Sequence, residues 1–222
     1  MHPWRRVGLA VLLAAGRDLM AQAKPPTVGI VSGDLGSFGA TILASQQVPF
    51  VKLTTQVSGE GLLAYDVIVI DNLYRLKDLN GPAFRDYVGQ GGVLVILNPK
   101  VDGFSKAWSP YDIFIGEYAL EGRIVDRKHP LFQGFPNDKI EDLASSNGAF
   151  VGNCSFVEPA KEWKVLARLP GGKKNPIIVE AAWQQGHMIL GCTRFDNYNA
   201  KPAATRLGDN LFRYALSLAK PR

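Results

Sequence analysis

Four short polar stretches sit at the ends of apolar runs, and their side chains are of the kinds that do chemistry. Ser32-Gly33-Asp34 closes the run 28–31, and Asp71-Asn72 closes 67–70. Asn98-Pro99-Lys100 closes 93–97, and Arg194-Phe195-Asp196 lies just past 188–192. Carboxylates, amides and a hydroxyl in this mixture suit a neutral polar ligand, such as one presenting sugar hydroxyls. Asp34 and Asp71 could also serve as an acid–base pair. Glycoside hydrolysis would need two such carboxyls at a defined separation, which spacing along the chain does not set. The plain alternative is that these are ordinary loop residues, because loops are polar in any case.

The stretch Gly33-Asp34-Leu35-Gly36-Ser37-Phe38-Gly39 stands where a phosphate-binding loop would stand. Its glycines are spaced G-x-x-G-x-x-G, and Asp34 would bring negative charge toward an anion. Thr54-Thr55 follows the second apolar run, in place of the acid that holds a ribose. A tight strand-to-helix turn is the better reading, and no cofactor is expected. His129 and His187 are far apart in sequence, which argues against a histidine metal site. His129, in Lys128-His129-Pro130, reads as a polar residue holding a loop and is kept as a candidate ligand contact. Trp108, Trp163 and Trp183 could form a sugar platform, although tryptophan more often packs into a core. Cys154 and Cys192 lie in no CxxC or metal-ligand pattern. A disulfide between them is possible in an oxidising compartment, but nothing in the spacing requires it, and two free thiols are the favoured state.

The elements that must position these residues alternate in type. The runs 28–31, 50–53, 67–70 and 93–97 read as strands, the last two apolar throughout, as in strands buried on both faces. A helix is expected over 39–46. A second begins at Asn80 as N-cap, with Pro82 in its first turn, and stops at Gly91-Gly92. This order implies right-handed crossovers, a parallel sheet and helices on both faces. Residues 100–155 look irregular. The runs 165–169, 177–183 and 188–192, separated by turns, read as an antiparallel meander added to the parallel core. A closing helix is expected over 205–218, with Leu207, Leu211, Ala215 and Leu218 on one face.

The amino terminus reads as a signal peptide over 1–23. Arg5 and Arg6 precede the apolar stretch 7–16, and Ala21-Gln22-Ala23 supplies a cleavage site. The apolar stretch is shorter than the roughly 20 residues needed to span a bilayer. The protein is therefore expected to be exported, periplasmic or secreted, with no transmembrane segment after cleavage and one domain over 24–222. The chain carries a net charge of +5. Cleavage removes three bases and one acid, and the remaining Lys and Arg are scattered. Nucleic acid is excluded as a partner, because it would need a basic stripe or a known motif.

Several blocks in order resemble class I glutamine amidotransferase-like proteins. They are Tyr65-Asp66-Val67-Ile68-Val69-Ile70, then Tyr87-Val88-Gly89-Gln90-Gly91-Gly92 before Val93-Leu94-Val95-Ile96, and His129-Pro130-Leu131-Phe132 with Gly134. Gly186-His187-Met188-Ile189-Leu190 and Asn210-Leu211-Phe212-Arg213-Tyr214-Ala215 complete the set. The nearest likeness is to trehalose-utilisation-type domains and to the amidotransferase-like domains attached to some glycosidases. The resemblance implies a doubly wound, flavodoxin-like α/β fold and tilts the ligand toward carbohydrate. It also implies a cysteine in a sharp turn after the strand 93–97, where this chain reads Asn98-Pro99-Lys100. Such an elbow needs a frame of small residues, which Pro99 breaks. The family's His-x-Glu pair is replaced by Thr193-Arg194-Phe195-Asp196, so neither amidotransferase nor cysteine-protease chemistry is expected. The leading reading is a non-catalytic domain that binds a small polar ligand, with carbohydrate the favoured class, or a protein partner. The alternative is a sugar-directed hydrolase or isomerase using carboxylates at the sheet's carboxyl edge. Candidate ligand contacts are Ser32, Asp34, Asp71, Asn72, Asn98, Lys100, His129, Arg194 and Asp196.

Overall fold

The computed structural model describes residues 25–33, 37–73, 76, 79–144, 151–171 and 174–220. The proposed leader over 1–23 and the candidate Asp34 lie outside these residues. The first half runs β1 (Val28–Ser32), α1 (Phe38–Ser45), β2 (Val51–Leu53), α2 (Gly59–Leu62), β3 (Val67–Asp71), α3 (Gly81–Gly89) and β4 (Val93–Leu97). Every residue of β3 and β4 is buried. That is the burial of a central parallel strand, where helices cover both faces. Each fully buried Ile, Leu or Val there contributes about 1.5–3 kcal/mol of transfer free energy. The helix starts are set by side chains: Ser37 Oγ accepts from Ala40 N–H at α1, and Asn80 caps α3 with Pro82 in its first turn.

The second half adds α4 (Phe104–Trp108), β5 (Phe114–Ile115), β6 (Gly122–Ile124), a 3-10 turn (Pro130–Phe132), β7 (Lys139–Ile140) and β8 (Phe156–Val157). It ends with β9 (Lys164–Arg168), β10 (Pro176–Trp183), β11 (Gly186–Gly191) and α5 (Pro202–Leu218). Among the described residues the main sheet has nine strands in the order β2-β1-β3-β4-β11-β10-β9-β6-β7, and β5 pairs with β8 in a small second sheet. The strands β2, β1, β3, β4 and β11 run parallel to one another. The meander's last strand is thus the fifth parallel strand, and the antiparallel extension is β10, β9, β6 and β7.

Two expectations need correction. The region 100–155 is not irregular throughout, but its strands are two or three residues long, too short to show a period of two. The closing helix begins at Pro202 rather than Thr205. Proline fits the first turn because the N–H it lacks would have no helical partner there. The helices form two groups. α1 packs on α5 and β3, and α5 packs on β4. α2, α3 and α4 pack in succession, with α3 on β4 and β11.

Candidate functional site

The parallel strands end together at one edge, and the chain reverses its direction of winding between β1 and β3. In open α/β sheets that reversal opens a crevice beyond the carboxyl ends. Ser32 and Asp71 are register partners there. Asp71 is buried, and its Oδ2 accepts from Ser37 Oγ and from Gly39 N–H, each at 2.7 Å. One carboxylate oxygen therefore ties β3 to the start of α1. The other, Oδ1, is buried with no hydrogen-bond partner among the described residues. Burial pushes the carboxyl up from near 3.8 to about 6, against the lowering effect of the Ser37, Gly39 and Phe38 bonds.

One strand over, Asn98 follows β4 with φ +50°, and Asn72 follows β3 with φ +60°. Asparagine is among the few non-glycine residues that take this left-handed conformation. Asn98 Nδ2 donates to Asn72 Oδ1 at 2.6 Å, and Asn98 N–H donates to the Gly191 carbonyl at 2.7 Å. Asn98 is 1% exposed, and its Oδ1 has no partner among the described residues. Two adjacent strand ends thus each hold a buried acceptor oxygen that no described group satisfies. Such atoms cost free energy unless something donates to them.

The remaining sequence candidates divide. Arg194 and Asp196 pair at 2.7 Å beyond β11. Lys100 turns its Nζ over the Tyr118 ring, 4.4 Å from the centroid. It also lines an open groove of about 510 Å³ with Val101, Asp102, Ile115 and Gly116. His129 does not join this edge. Its Nδ1 accepts from Leu131 N–H, so it caps the 3-10 turn, and its Nε2 meets Glu180 Oε1 at 3.1 Å.

Sequence reading missed the cluster that holds His129. Glu180 sits in β10 and receives His187 Nε2 at 3.2 Å and Tyr214 Oη at 2.8 Å on Oε2. Lys164 reaches Oε1 at 3.3 Å. His187 opposes Val93, the first residue of β4, so this cluster faces the amino end of the parallel strands, away from Asp71. Burial alone would raise the Glu180 carboxyl. The bonds from His129, His187 and Tyr214 more than offset that and hold it well below the usual range. The signal was a single acid inside the apolar run Ile177-Ile178-Val179-Glu180-Ala181-Ala182. A charge is seldom left there without partners.

Trp108, Trp163 and Trp183 make packing contacts. Trp108 is buried and stacks on Phe84, while Trp163 is buried edge-on to Tyr111. Trp183 stands edge-on to the same tyrosine. Cys154 and Cys192 are free and buried. Among the described residues no cluster of three His, Cys, Asp or Glu could hold a metal, and no helix is long and apolar enough to cross a membrane.

The doubly wound sheet with its antiparallel extension is the class I glutamine amidotransferase-like fold, a flavodoxin-like α/β architecture. Among solved structures the chain is similar to a ThuA-like protein from Bacteroides uniformis, at 18% identity and TM-score 0.55, covering 90% of this chain and 95% of that one. It is also similar to a GMP synthase-type protein from Thermoplasma acidophilum, at 10% identity and TM-score 0.59, covering 88% and 94%. A third likeness is to a β-galactosidase from Bacillus circulans, at 14% identity and TM-score 0.55. There 90% of this chain matches only 32% of the enzyme, so the likeness is to one part of a longer protein. No family model and no curated protein matches the sequence.

Proposed function

We propose that this chain is an exported, non-catalytic amidotransferase-like domain that binds a small polar ligand at the carboxyl edge of its sheet, with carbohydrate the favoured class. The observation that carries the reading is the pair of buried acceptors, Asp71 Oδ1 and Asn98 Oδ1, at neighbouring strand ends, neither with a partner among the described residues. A ligand rich in hydroxyl donors matches that demand, whereas phosphate would be repelled by Asp71. The likeness to part of a β-galactosidase favours the same ligand class. The turn after β4 reads Asn98-Pro99-Lys100 where the resemblance implies an amidotransferase's cysteine, and both thiols of the chain lie elsewhere and buried. The non-catalytic reading rests on that missing nucleophile. The export reading rests on the leader over 1–23, and amino-terminal sequencing of the protein recovered outside the cytoplasm would test it.

A thermal-shift screen against monosaccharides, oligosaccharides and polyols tests the ligand class. A ligand at 100 times its Kd adds about 2.7 kcal/mol of stability. A dose-dependent rise that disappears in Asp71→Ala supports the site. A folded protein that responds to none of the panel sinks the carbohydrate reading. One observation favours the enzyme alternative: a carboxyl lifted to about 6 is suited to general acid–base work near neutral pH. Turnover of any sugar that binds, lost in Asp71→Asn while binding persists, would decide for it.

A further inference from the structure

We infer that Cys154 and Cys192 form a cross-linking site: a chain folded under oxidising conditions closes a disulfide between them, tying the excursion after β4 to the end of β11. Two contacts bring the two segments together. Arg194 N–H donates to the Val151 carbonyl at 3.0 Å. Gly152 packs so tightly on Cys192 that a Cβ at 152 would stand 1.7 Å from the Cys192 carbonyl oxygen. The Cys154 thiol is also the titratable neighbour that acts on the Cys192 thiol. Both side chains are fully buried.

The same burial fixes when the bond can form. Reactive thiols sit in partly exposed, electropositive surroundings. Burial, followed by the neighbouring Cys154 thiol, pushes the Cys192 thiol well above its ordinary value, and Cys154 is equally buried away from any oxidant. Cross-linking therefore occurs during folding, before the segments close. The reaction is thiol–disulfide exchange with a small-molecule or protein disulfide as oxidant. One cysteine thiolate attacks the oxidant's sulfur and releases a thiolate. The second cysteine then displaces the other half from the mixed disulfide. Two protons and two electrons leave the cysteines, and the oxidant ends as two thiols. Once formed and buried, the bond is shielded from reductant.

The test uses the full chain, unfolded with reductant and refolded in parallel with reduced glutathione alone and with a mixture containing glutathione disulfide. After alkylation in denaturant, the oxidatively refolded protein is expected to carry no label, to be lighter than the reduced form by the mass of two hydrogens, and to remain monomeric. Protein refolded reduced is expected to resist alkylation while native and to label fully at both cysteines once unfolded. The oxidised form is expected to melt at a higher temperature than the reduced form, a difference abolished in Cys154→Ala and in Cys192→Ala. Full labelling of oxidatively refolded protein, a persistent glutathione adduct or a disulfide-linked dimer would overturn the inference. If an alanine variant does not fold, the mass and labelling of the unsubstituted chain still decide.

Discussion

His129 and His187 reach opposite oxygens of the same carboxylate, that of Glu180, from a loop before a 3-10 turn and from the start of β11. A carboxylate only accepts, so both Nε2 atoms carry the proton. Nδ1 of His129, which accepts from Leu131 N–H, is the bare nitrogen of that ring. One acid thereby holds the 129–132 turn, β11 and, through Tyr214, the closing helix against β10. Glu180→Ala should destabilise the protein by roughly 1–3 kcal/mol for each buried donor it strands, and so by several kcal/mol in all. Lys164 is half exposed, and Lys164→Ala should cost about 1 kcal/mol or less. Urea unfolding of the two variants checks the ordering, and equal effects would show that Glu180 is not the hub.

Acid–base linkage gives the two ends of the sheet opposite signs. Asp71 has a folded value raised to about 6, so the folded state holds its proton over a window in which the unfolded chain has lost it. Stability from this group is fully present below about 3.8 and is lost as pH rises toward 6. A shift of this size corresponds to roughly 3 kcal/mol across the window. Asp71→Asn should abolish that slope. Glu180 has a folded value held below its ordinary 4.5, so its contribution is present above 4.5 and is lost as pH falls further. Unfolding free energies measured from pH 3.5 to 7.5 in Asp71→Asn and Glu180→Gln check both signs.

The parallel core was legible because its physics is local and repeated. The runs 67–70 and 93–97 are apolar at every position, and Asn80 with Pro82 marks a helix start from type alone. The carboxyl-edge candidates Ser32, Asp71, Asn72 and Asn98 followed from one geometric rule about strand ends. Lys100 lies at the same edge with its Nζ over Tyr118, whereas His129 caps a turn away from it. Ser37 was missed because its partner Asp71 comes from β3, far along the chain from the helix start that Ser37 caps, and the Glu180 cluster because its five members come from five segments. Such pairings are made by tertiary packing, and no spacing along the chain encodes them.

Asn98 separates a backbone demand from a side-chain one. Its φ of +50° is costly for alanine and free for glycine. Both replacements lose the 2.6 Å bond to Asn72. Asn98→Ala should therefore be less stable than Asn98→Gly by about 1 kcal/mol or more, the cost of holding an L-residue in the left-handed region. Ligand-induced stabilisation, if Asn98 Oδ1 accepts from the ligand, should fall equally in both. Denaturant melts with and without a sugar hit read the two effects apart. Ligand stabilisation retained by both variants would remove Asn98 from the site.

Ser37 couples the helix start to the acid beside it. Its Oγ accepts from Ala40 N–H and donates to Asp71 Oδ2, so one hydroxyl closes both the cap of α1 and one of the bonds that favour the ionised carboxylate. Ser37→Ala removes the cap, at a cost of about 1 kcal/mol. It also removes the first of the hydrogen bonds that oppose burial, so the Asp71 carboxyl should titrate above about 6. The pH at which the Asp71-dependent stability is lost should move upward with it. Ser37→Thr keeps the hydroxyl and should restore both properties. Carbon-13 titration of the Asp71 carboxyl in the three proteins reads the shift directly. A midpoint unchanged in Ser37→Ala, with stability reduced, would mean that the serine only caps the helix and leaves the acid to the Gly39 and Phe38 amides.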